Sequence, residues 1–136
     1  MKKDKKNNLV ERIYLSKNQC LEVEKGMLLQ EHLRRYGTIR RFCYGKVLDF
    51  ACGCGYGSYL LAGNPDVNTI TAIDHDNEAV AWAEKEFSHP KITFSTKEIH
   101  SLHEHFDTLV CLETIEHLKD PSMLSQLIER CTVDNI

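Results

Sequence analysis

Apolar and polar positions alternate along the 136-residue chain with two different periods. Short β-branched or apolar runs predict buried strands over residues 46–50, 69–74, 91–96 and 106–112. Between and around them, apolar residues at three- and four-residue steps predict helices over residues 20–43, 56–62, 77–87 and 121–131, the first of them as one helix or two. Strands separated by helices predict an α/β fold, a three-layer, doubly wound and mostly parallel sheet with right-handed crossovers.

Turn and capping residues set the ends of these elements. The Gly63-Asn64-Pro65-Asp66 cluster ends the second helical segment. Asp76 is placed to cap the next helix, and Asp120-Pro121 is a strong start signal for the last one. The predicted fold therefore has about four strands and a helical segment before the first strand.

Composition narrows the class of protein. The formal net charge is −3, with 17 basic and 20 acidic residues, which disfavours a nucleic-acid binder. Four lysines in the first six residues fit a solvated arm over residues 1–20, ahead of a domain over residues 21–136. No apolar run reaches the roughly 20 residues of a membrane span, and no export signal follows the lysines. We expect a cytoplasmic protein with reduced cysteines and no zinc at the Cys52-x-Cys54 pair.

The most informative segment is VLDFACGCGYGS, residues 47–58. A buried strand ends in Asp49, and alternating glycines then precede a helix, where backbone N–H groups are free to meet a ligand. The spacing is G-x-G-x-G, whereas the dinucleotide fingerprint is G-x-G-x-x-G. A carboxylate this close would repel a pyrophosphate and suit an ammonium group. The pattern therefore favours adenosine joined to an amino acid.

Asp74 ends the second predicted strand, in the sequence TITAID. A carboxylate at that position typically accepts hydrogen bonds from the two hydroxyls of a ribose. A strand-end acid that caps a turn is the structural alternative. Because the glycine loop precedes it, we favour ribose binding.

From about residue 28 onward, these segments together resemble the class I S-adenosylmethionine-dependent methyltransferases, which have a Rossmann-like fold with strand order 3-2-1-4-5-7-6. VLDFACGCGYGS is similar to the first motif of that family, AIDHD to its second strand, and FDTLVCLETIEHLKDP to its fourth strand and the following loop. The segment EHLRRY, residues 31–36, resembles a helix that closes over the cofactor in small bacterial members.

The resemblance implies a set of cofactor-binding residues. The methionine moiety would meet Asp49 and the backbone of Ala51, Gly53 and Gly55. Asp74 would bind the ribose, His75 would lie against the adenine, and Glu98 with Ile99 would meet its polar edge. Leu112 and Glu113 would flank the sulfonium, and Tyr36 would either cover the site or pack in the core. The family usually has Gly-Asp where this chain has Lys97-Glu98, so Glu98 is alternatively a solvated loop acid.

Glu113, Glu116 and His117 form an E-x-x-E-H cluster whose spacing brings the three side chains to one face of a turn. The cluster resembles one that holds a divalent cation in small-RNA 2′-O-methyltransferases and ubiquinone-biosynthesis O-methyltransferases. Mg²⁺ or Mn²⁺ binding, a catalytic role for His117 with Glu113, and a structural role all stay open. His100, His103 and His105 lie at irregular spacing in a loop, and we interpret them as solvated histidines rather than metal ligands.

The expected function is methyl transfer from S-adenosylmethionine to an oxygen or nitrogen atom of a small molecule. The chain ends about where the fifth strand of the family should start, which predicts an exposed fourth-strand edge. We expect either a piece of a longer protein or an edge completed by a second copy or a partner chain. Two alternatives are a noncatalytic cofactor-binding module and a nicotinamide-dependent oxidoreductase.

Overall fold

The computed structural model describes residues 27–98, 101–112, 122–130 and 133–136. Its helices are α1 (Met27–Arg40), α2 (Tyr56–Ala62), α3 (Asn77–Glu86) and α4 (Ser122–Arg130). Its strands are β1 (Gly45–Phe50), β2 (Val67–Ile73), β3 (Ile92–Ser95), β4 (Phe106–Val110) and β5 (Val133–Asn135). The predicted arm over residues 1–20 and the start signal Asp120-Pro121 lie outside the described residues.

The five strands form one parallel sheet in the order β3-β2-β1-β4-β5. β1 is central, pairing with β2 over its whole length and with β4 from Val47 to Asp49. The predicted α/β class and the parallel sheet are confirmed. The order also matches the first five strands of 3-2-1-4-5-7-6.

The sheet has five strands where about four were predicted, and the prediction of an exposed fourth-strand edge is wrong. β5 pairs with that edge, with Val133 opposite Phe106 and Asn135 opposite Thr108. A strand of three residues is too short to show the alternation by which longer strands are recognised in a sequence. Within the described part of the chain, β5 is therefore the outermost strand on this side of the sheet.

Two apolar clusters cover the two faces of the sheet, as the three-layer prediction requires. The larger cluster packs α1, α2 and α3 against one face through Leu33, Leu61 and Ala83. The smaller cluster packs α4 against the other face, where Leu127 joins Leu48, Phe106 and Leu109. Adjacent residues of β1 divide between the clusters, with Val47 in the first and Leu48 in the second, because successive side chains of a strand point to opposite faces.

The predicted turn and cap residues form the expected local contacts. Asp76 caps α3, since its Oδ1 accepts hydrogen bonds from the backbone N–H groups of Glu78 at 2.8 Å and Ala79 at 3.2 Å. Asn64 Nδ2 donates to the carbonyl oxygens of Arg40 at 2.7 Å and Cys43 at 3.0 Å, which ties the turn after α2 to the end of α1. Among the described residues, no helix combines the length and apolar character that a membrane crossing requires.

Replacing Leu127 with alanine tests the packing of α4. Leu127 is 0% exposed and Ile128 on the same helix is 36% exposed. We expect Leu127→Ala to lower the free energy of unfolding by about 3 kcal/mol, because it removes apolar contacts and leaves a cavity. Urea unfolding measures the loss, with Ile128→Ala as the matched control at well under half that cost. Equal losses in the two variants would contradict the docking of α4.

Candidate active site

Most of the predicted site residues that the structure describes lie at the carboxyl edge of the sheet. β2 and β3 lie on one side of β1 and β4 lies on the other, so the direction of winding reverses between β1 and β4. Loops at such a reversal diverge and leave a crevice in which ligands of α/β proteins bind. Ala51, Asp74 and Cys111 each come directly after one of these strands.

The glycine loop after β1 runs through left-handed backbone conformations. Ala51, Gly53 and Gly55 have φ angles of 61°, 57° and 94°. A Cβ at Gly55 would lie 2.6 Å from the Cβ of Ala83, so this glycine allows close packing of the loop on α3. At Gly53, no described atom lies within 4 Å of where a Cβ would be. As far as the described residues show, Gly53 is therefore the glycine of this loop that faces open space, and a ligand can approach its backbone.

Asp74 joins the end of β2 to this loop. Its Oδ2 accepts a hydrogen bond of 2.9 Å from the backbone N–H of Gly53, and its Oδ1 accepts one of 2.9 Å from Asp76 N–H. The side chain is buried, whereas neighbouring His75 is almost fully exposed, with its Nδ1 3.6 Å from Asp74 Oδ1. The hydrogen bond from Gly53 thus fixes the position of the Asp74 carboxylate relative to the glycine loop.

Asp49 lies behind the loop and is 0% exposed. Its Oδ2 accepts a 2.6 Å hydrogen bond from Ser58 Oγ on α2, and its Oδ1 accepts a 3.4 Å hydrogen bond from the Tyr36 hydroxyl on α1. Burial raises the pKa of Asp49 to about 7, although both hydrogen bonds act to lower it. This carboxyl group therefore connects β1 to two helices and titrates near neutral pH.

Tyr36 packs inside the protein. Its ring occupies the space that a side chain at position 57 would fill, so Gly57 is needed for this close approach. The ring also meets Tyr56 edge to face, with 5.9 Å between centroids. Burial, with Asp49 nearby, raises the pKa of Tyr36 well above its ordinary value, so the hydroxyl stays protonated and donates. These contacts are those of the core-packing alternative, and the covering role stays a prediction.

The remaining predicted residues are only partly described. Glu98 is exposed after β3, and Leu112 is half-buried after β4. Ile99, Glu113, Glu116 and His117 lie outside the described residues, so their roles stay predictions. Sequence reasoning missed Ser58, whose signal was a hydroxyl in the first turn of the helix that follows the loop.

A methyltransferase-domain family profile matches residues 47–133, which is more than half of the chain. The chain belongs to this methyltransferase family. The matched range contains the glycine loop, Asp74, the strands β2, β3 and β4, and all but the first two residues of β1, but only the first of the three residues of β5. The resemblance to class I S-adenosylmethionine-dependent methyltransferases is confirmed. A search of curated protein sequences finds no match.

Solved structures share the fold of this methyltransferase domain. The N-methyltransferase NodS from Bradyrhizobium japonicum WM9, in complex with S-adenosyl-L-homocysteine, superimposes with a TM-score of 0.64 at 19% identity over 80% of this chain and 57% of its own. The [4+2]-cyclase SpnF gives 0.62 at 23% identity, over 78% and 43%. The plantazolicin methyltransferase BpumL gives 0.55 at 22% identity, over 72% and 39%. The domain thus spans about half the length of these proteins, and the likeness concerns the fold.

The buried carboxyl group of Asp49 should make the free energy of unfolding depend on pH. The pKa of Asp49 rises from 3.8 to about 7 on folding. Folding therefore takes up a proton between these values, and the contribution of Asp49 to stability is complete at low pH and declines as pH rises towards 7. We expect the free energy of unfolding of the wild type to fall from pH 4 to pH 7 relative to Asp49→Asn, by on the order of a few kcal/mol. Urea unfolding across this range measures it.

The control is Asp66→Asn, which removes an exposed carboxylate. That variant should keep the pH dependence of the wild type. Parallel curves for the wild type and Asp49→Asn would contradict a raised pKa at Asp49.

Ala51 carries backbone strain that glycine would relieve. A Cβ in the left-handed region costs roughly 1–2 kcal/mol, and glycine avoids this cost at the expense of a more flexible unfolded chain. We expect Ala51→Gly to raise the free energy of unfolding by about 0.5–1 kcal/mol. Gly53→Ala, at nearly the same φ, should lower it. Chemical denaturation tests both, and a destabilised Ala51→Gly would show that the methyl group of Ala51 matters more than its backbone.

Proposed function

We propose that this chain binds S-adenosylmethionine and belongs to an enzyme that transfers its methyl group to an oxygen or nitrogen atom of a small molecule. The supporting observation is the hydrogen bond between Asp74 and the Gly53 N–H at the winding reversal of the sheet. This hydrogen bond connects Asp74, whose carboxylate can accept hydrogen bonds from ribose hydroxyls, to the glycine loop, whose backbone at Gly53 is open to a ligand. NodS and BpumL, two methyltransferases with this fold, are both known in complexes with S-adenosylhomocysteine.

The described residues fit this cofactor. At Gly53 a ligand can contact the backbone without meeting a side chain. The ionised carboxyl group of Asp74 is an acceptor at the end of β2, which is the kind of group that accepts hydrogen bonds from ribose hydroxyls. Both oxygens of Asp49 accept hydrogen bonds and the residue has no exposed surface, so we propose that it affects the ligand through its charge and without direct contact. Its negative charge would favour an ammonium group and disfavour the phosphates of a nicotinamide dinucleotide.

Other predicted contacts complete this proposal. In it, His75 lies against the adenine, and Glu98 with Ile99 meets the polar edge of that ring. Leu112 lies beside the methyl group that is transferred. The backbone of Ala51 and Gly55 lies beside the methionine moiety of the cofactor. Tyr36 supports the loop through Asp49 and Gly57.

The sulfonium of the bound cofactor supplies an already activated methyl group. The task of the chain is therefore mainly to hold the acceptor close and in line with it. An oxygen acceptor also has to lose a proton, and we propose His117 as the base, with Glu113 beside it. The alternative, a Mg²⁺ or Mn²⁺ ion held by Glu113, Glu116 and His117, has no support from the comparisons. A loss of methyl transfer in EDTA would favour it.

A noncatalytic cofactor-binding module completed by a second copy or a partner chain is the second proposal. β5 leaves an outer sheet edge of three residues, beside the exposed side chains of Phe42 and Ile136. The fold itself does not fix the reaction, since SpnF is a cyclase. Solution mass by light scattering and a methyl-transfer assay distinguish the two proposals. In either case we propose a cytoplasmic location.

Cofactor binding is tested by calorimetric titration with S-adenosylhomocysteine and NAD in parallel. We expect the thioether to bind and NAD to bind at least tenfold more weakly, a difference of about 1.4 kcal/mol. Asp74→Ala and Gly53→Ala should each weaken thioether binding about tenfold or more. Glu78→Gln, which removes an exposed carboxylate from the first turn of α3, is the matched control.

Binding of the thioether should also release a proton near pH 7, because an ammonium group favours the ionised form of Asp49. Titration in buffers of different ionisation enthalpy detects this release, which Asp49→Asn should abolish. Preference for NAD, or unchanged affinity in the Asp49→Asn/Asp74→Ala double variant, would refute the proposal.

A further inference from the structure

Three side chains of the types that bind metal ions in proteins lie close together at the amino end of the sheet, on the edge opposite the glycine loop. His105 comes directly before β4, Asp107 is the second residue of β4, and Asp134 is the second residue of β5. His105 Nε2 lies 3.1 Å from Asp107 Oδ1 and 3.6 Å from Asp134 Oδ2. One ligand atom from each residue lies within 4.8 Å of the other two. We propose that these residues form a binding site for a divalent transition metal ion of the Zn²⁺ class.

The arrangement of the three atoms supports a shared cation. A single ring nitrogen carries at most one proton, and so it makes one linear hydrogen bond. Here Nε2 faces carboxylate oxygens from two different strands. Tetrahedral Zn²⁺ with ligand distances of about 2.0 Å needs ligand atoms roughly 3.3 Å apart. The two distances from Nε2 bracket this value, and the carboxylate oxygens of Asp107 and Asp134 lie within 4.8 Å of each other.

Asp107 is held in place for this role. Its Oδ2 accepts a 2.7 Å hydrogen bond from the backbone N–H of Lys46, which leaves Oδ1 directed at His105. A side chain at position 45 would overlap the Asp107 carboxylate, and the chain has glycine there, with φ of +65°. A second hydrogen bond that fixes a carboxylate ligand is typical of protein metal sites. The ammonium group of nearby Lys46 pairs with the carboxylate of Glu104, which is not one of the three proposed ligands.

The choice of metal class follows from the donors. Imidazole suits Zn²⁺, Ni²⁺ and Cu²⁺ better than Mg²⁺ or Ca²⁺, and three protein ligands leave an open position for water. The three side chains are 50%, 31% and 55% exposed, so an ion can reach them from solvent. Because Asp134 belongs to β5 and Asp107 to β4, a bound ion would fasten the short edge strand to the sheet.

The test uses the full chain without a histidine tag, stripped with chelator, kept reduced, and titrated calorimetrically with ZnCl₂ at pH 7.5. The expected result is binding at His105, Asp107 and Asp134 with a rise in the thermal midpoint. Asp134→Asn and His105→Ala should each weaken that binding at least tenfold. His103→Ala, which removes an exposed imidazole from the same loop, should leave it unchanged. Ca²⁺ at the same concentration should not compete.

Binding of S-adenosylhomocysteine should be the same in Asp134→Asn as in the wild type, so this test is independent of the proposed function. Zinc binding that Asp134→Asn and His105→Ala leave unchanged would overturn the proposal. So would no binding at all, which would leave His105 as an ion-pair partner of the two aspartates. A Co²⁺ complex whose visible spectrum is lost in His105→Ala and kept in His103→Ala gives a second readout that does not depend on stability.

Discussion

A carboxyl group without access to solvent holds together the elements around the glycine loop. Asp49 is the last residue but one of β1 and accepts hydrogen bonds from Ser58 on α2 and from Tyr36 on α1. Burying an ionisable group is unfavourable unless the group is neutralised or hydrogen-bonded. Both apply to Asp49, because its two oxygens accept hydrogen bonds and its pKa of about 7 keeps it largely protonated below neutral pH. Any change that moves either helix therefore changes the environment of this acid and, through it, the loop.

The loop and the first turn of α2 depend on three glycines for three different reasons. Gly55 lets the backbone pack on Ala83, Gly57 makes room for the Tyr36 ring, and Gly53 leaves space on the open side. Ala51 adopts a similar left-handed conformation without the freedom of glycine. Strained backbone of this kind persists where surrounding contacts fix it, and here the hydrogen bond from Cys52 N–H to the Ile73 carbonyl does so. The loop is thus fixed from the protein side before any ligand arrives.

Sequence reasoning could predict the elements whose signal is local. The bounds of α2 and the cap at Asp76 follow from turn residues and side-chain periodicity, and the glycine spacing with Asp74 predicted the candidate site. Contacts between distant residues could not be predicted in this way. The pairing of Ser58 with Asp49 depends on how α2 docks, and β5 is too short to show a period. The interpretation of His105 as solvated overlooked a cluster because one of its two partners, Asp134, is brought to it only by the pairing of β4 with β5.

The contact between Gly45 and Asp107 constrains which sequences this fold can accept. The Asp107 carboxylate occupies the space beside position 45, and the backbone there has a φ of +65°, so a larger residue at 45 needs both a smaller residue at 107 and a backbone that tolerates the left-handed conformation. The two positions are therefore coupled in a fixed order of substitution. Among relatives of this chain, a side chain at 45 should occur together with a short residue at 107, and a covarying pair of this kind would mark the amino end of the sheet in an alignment.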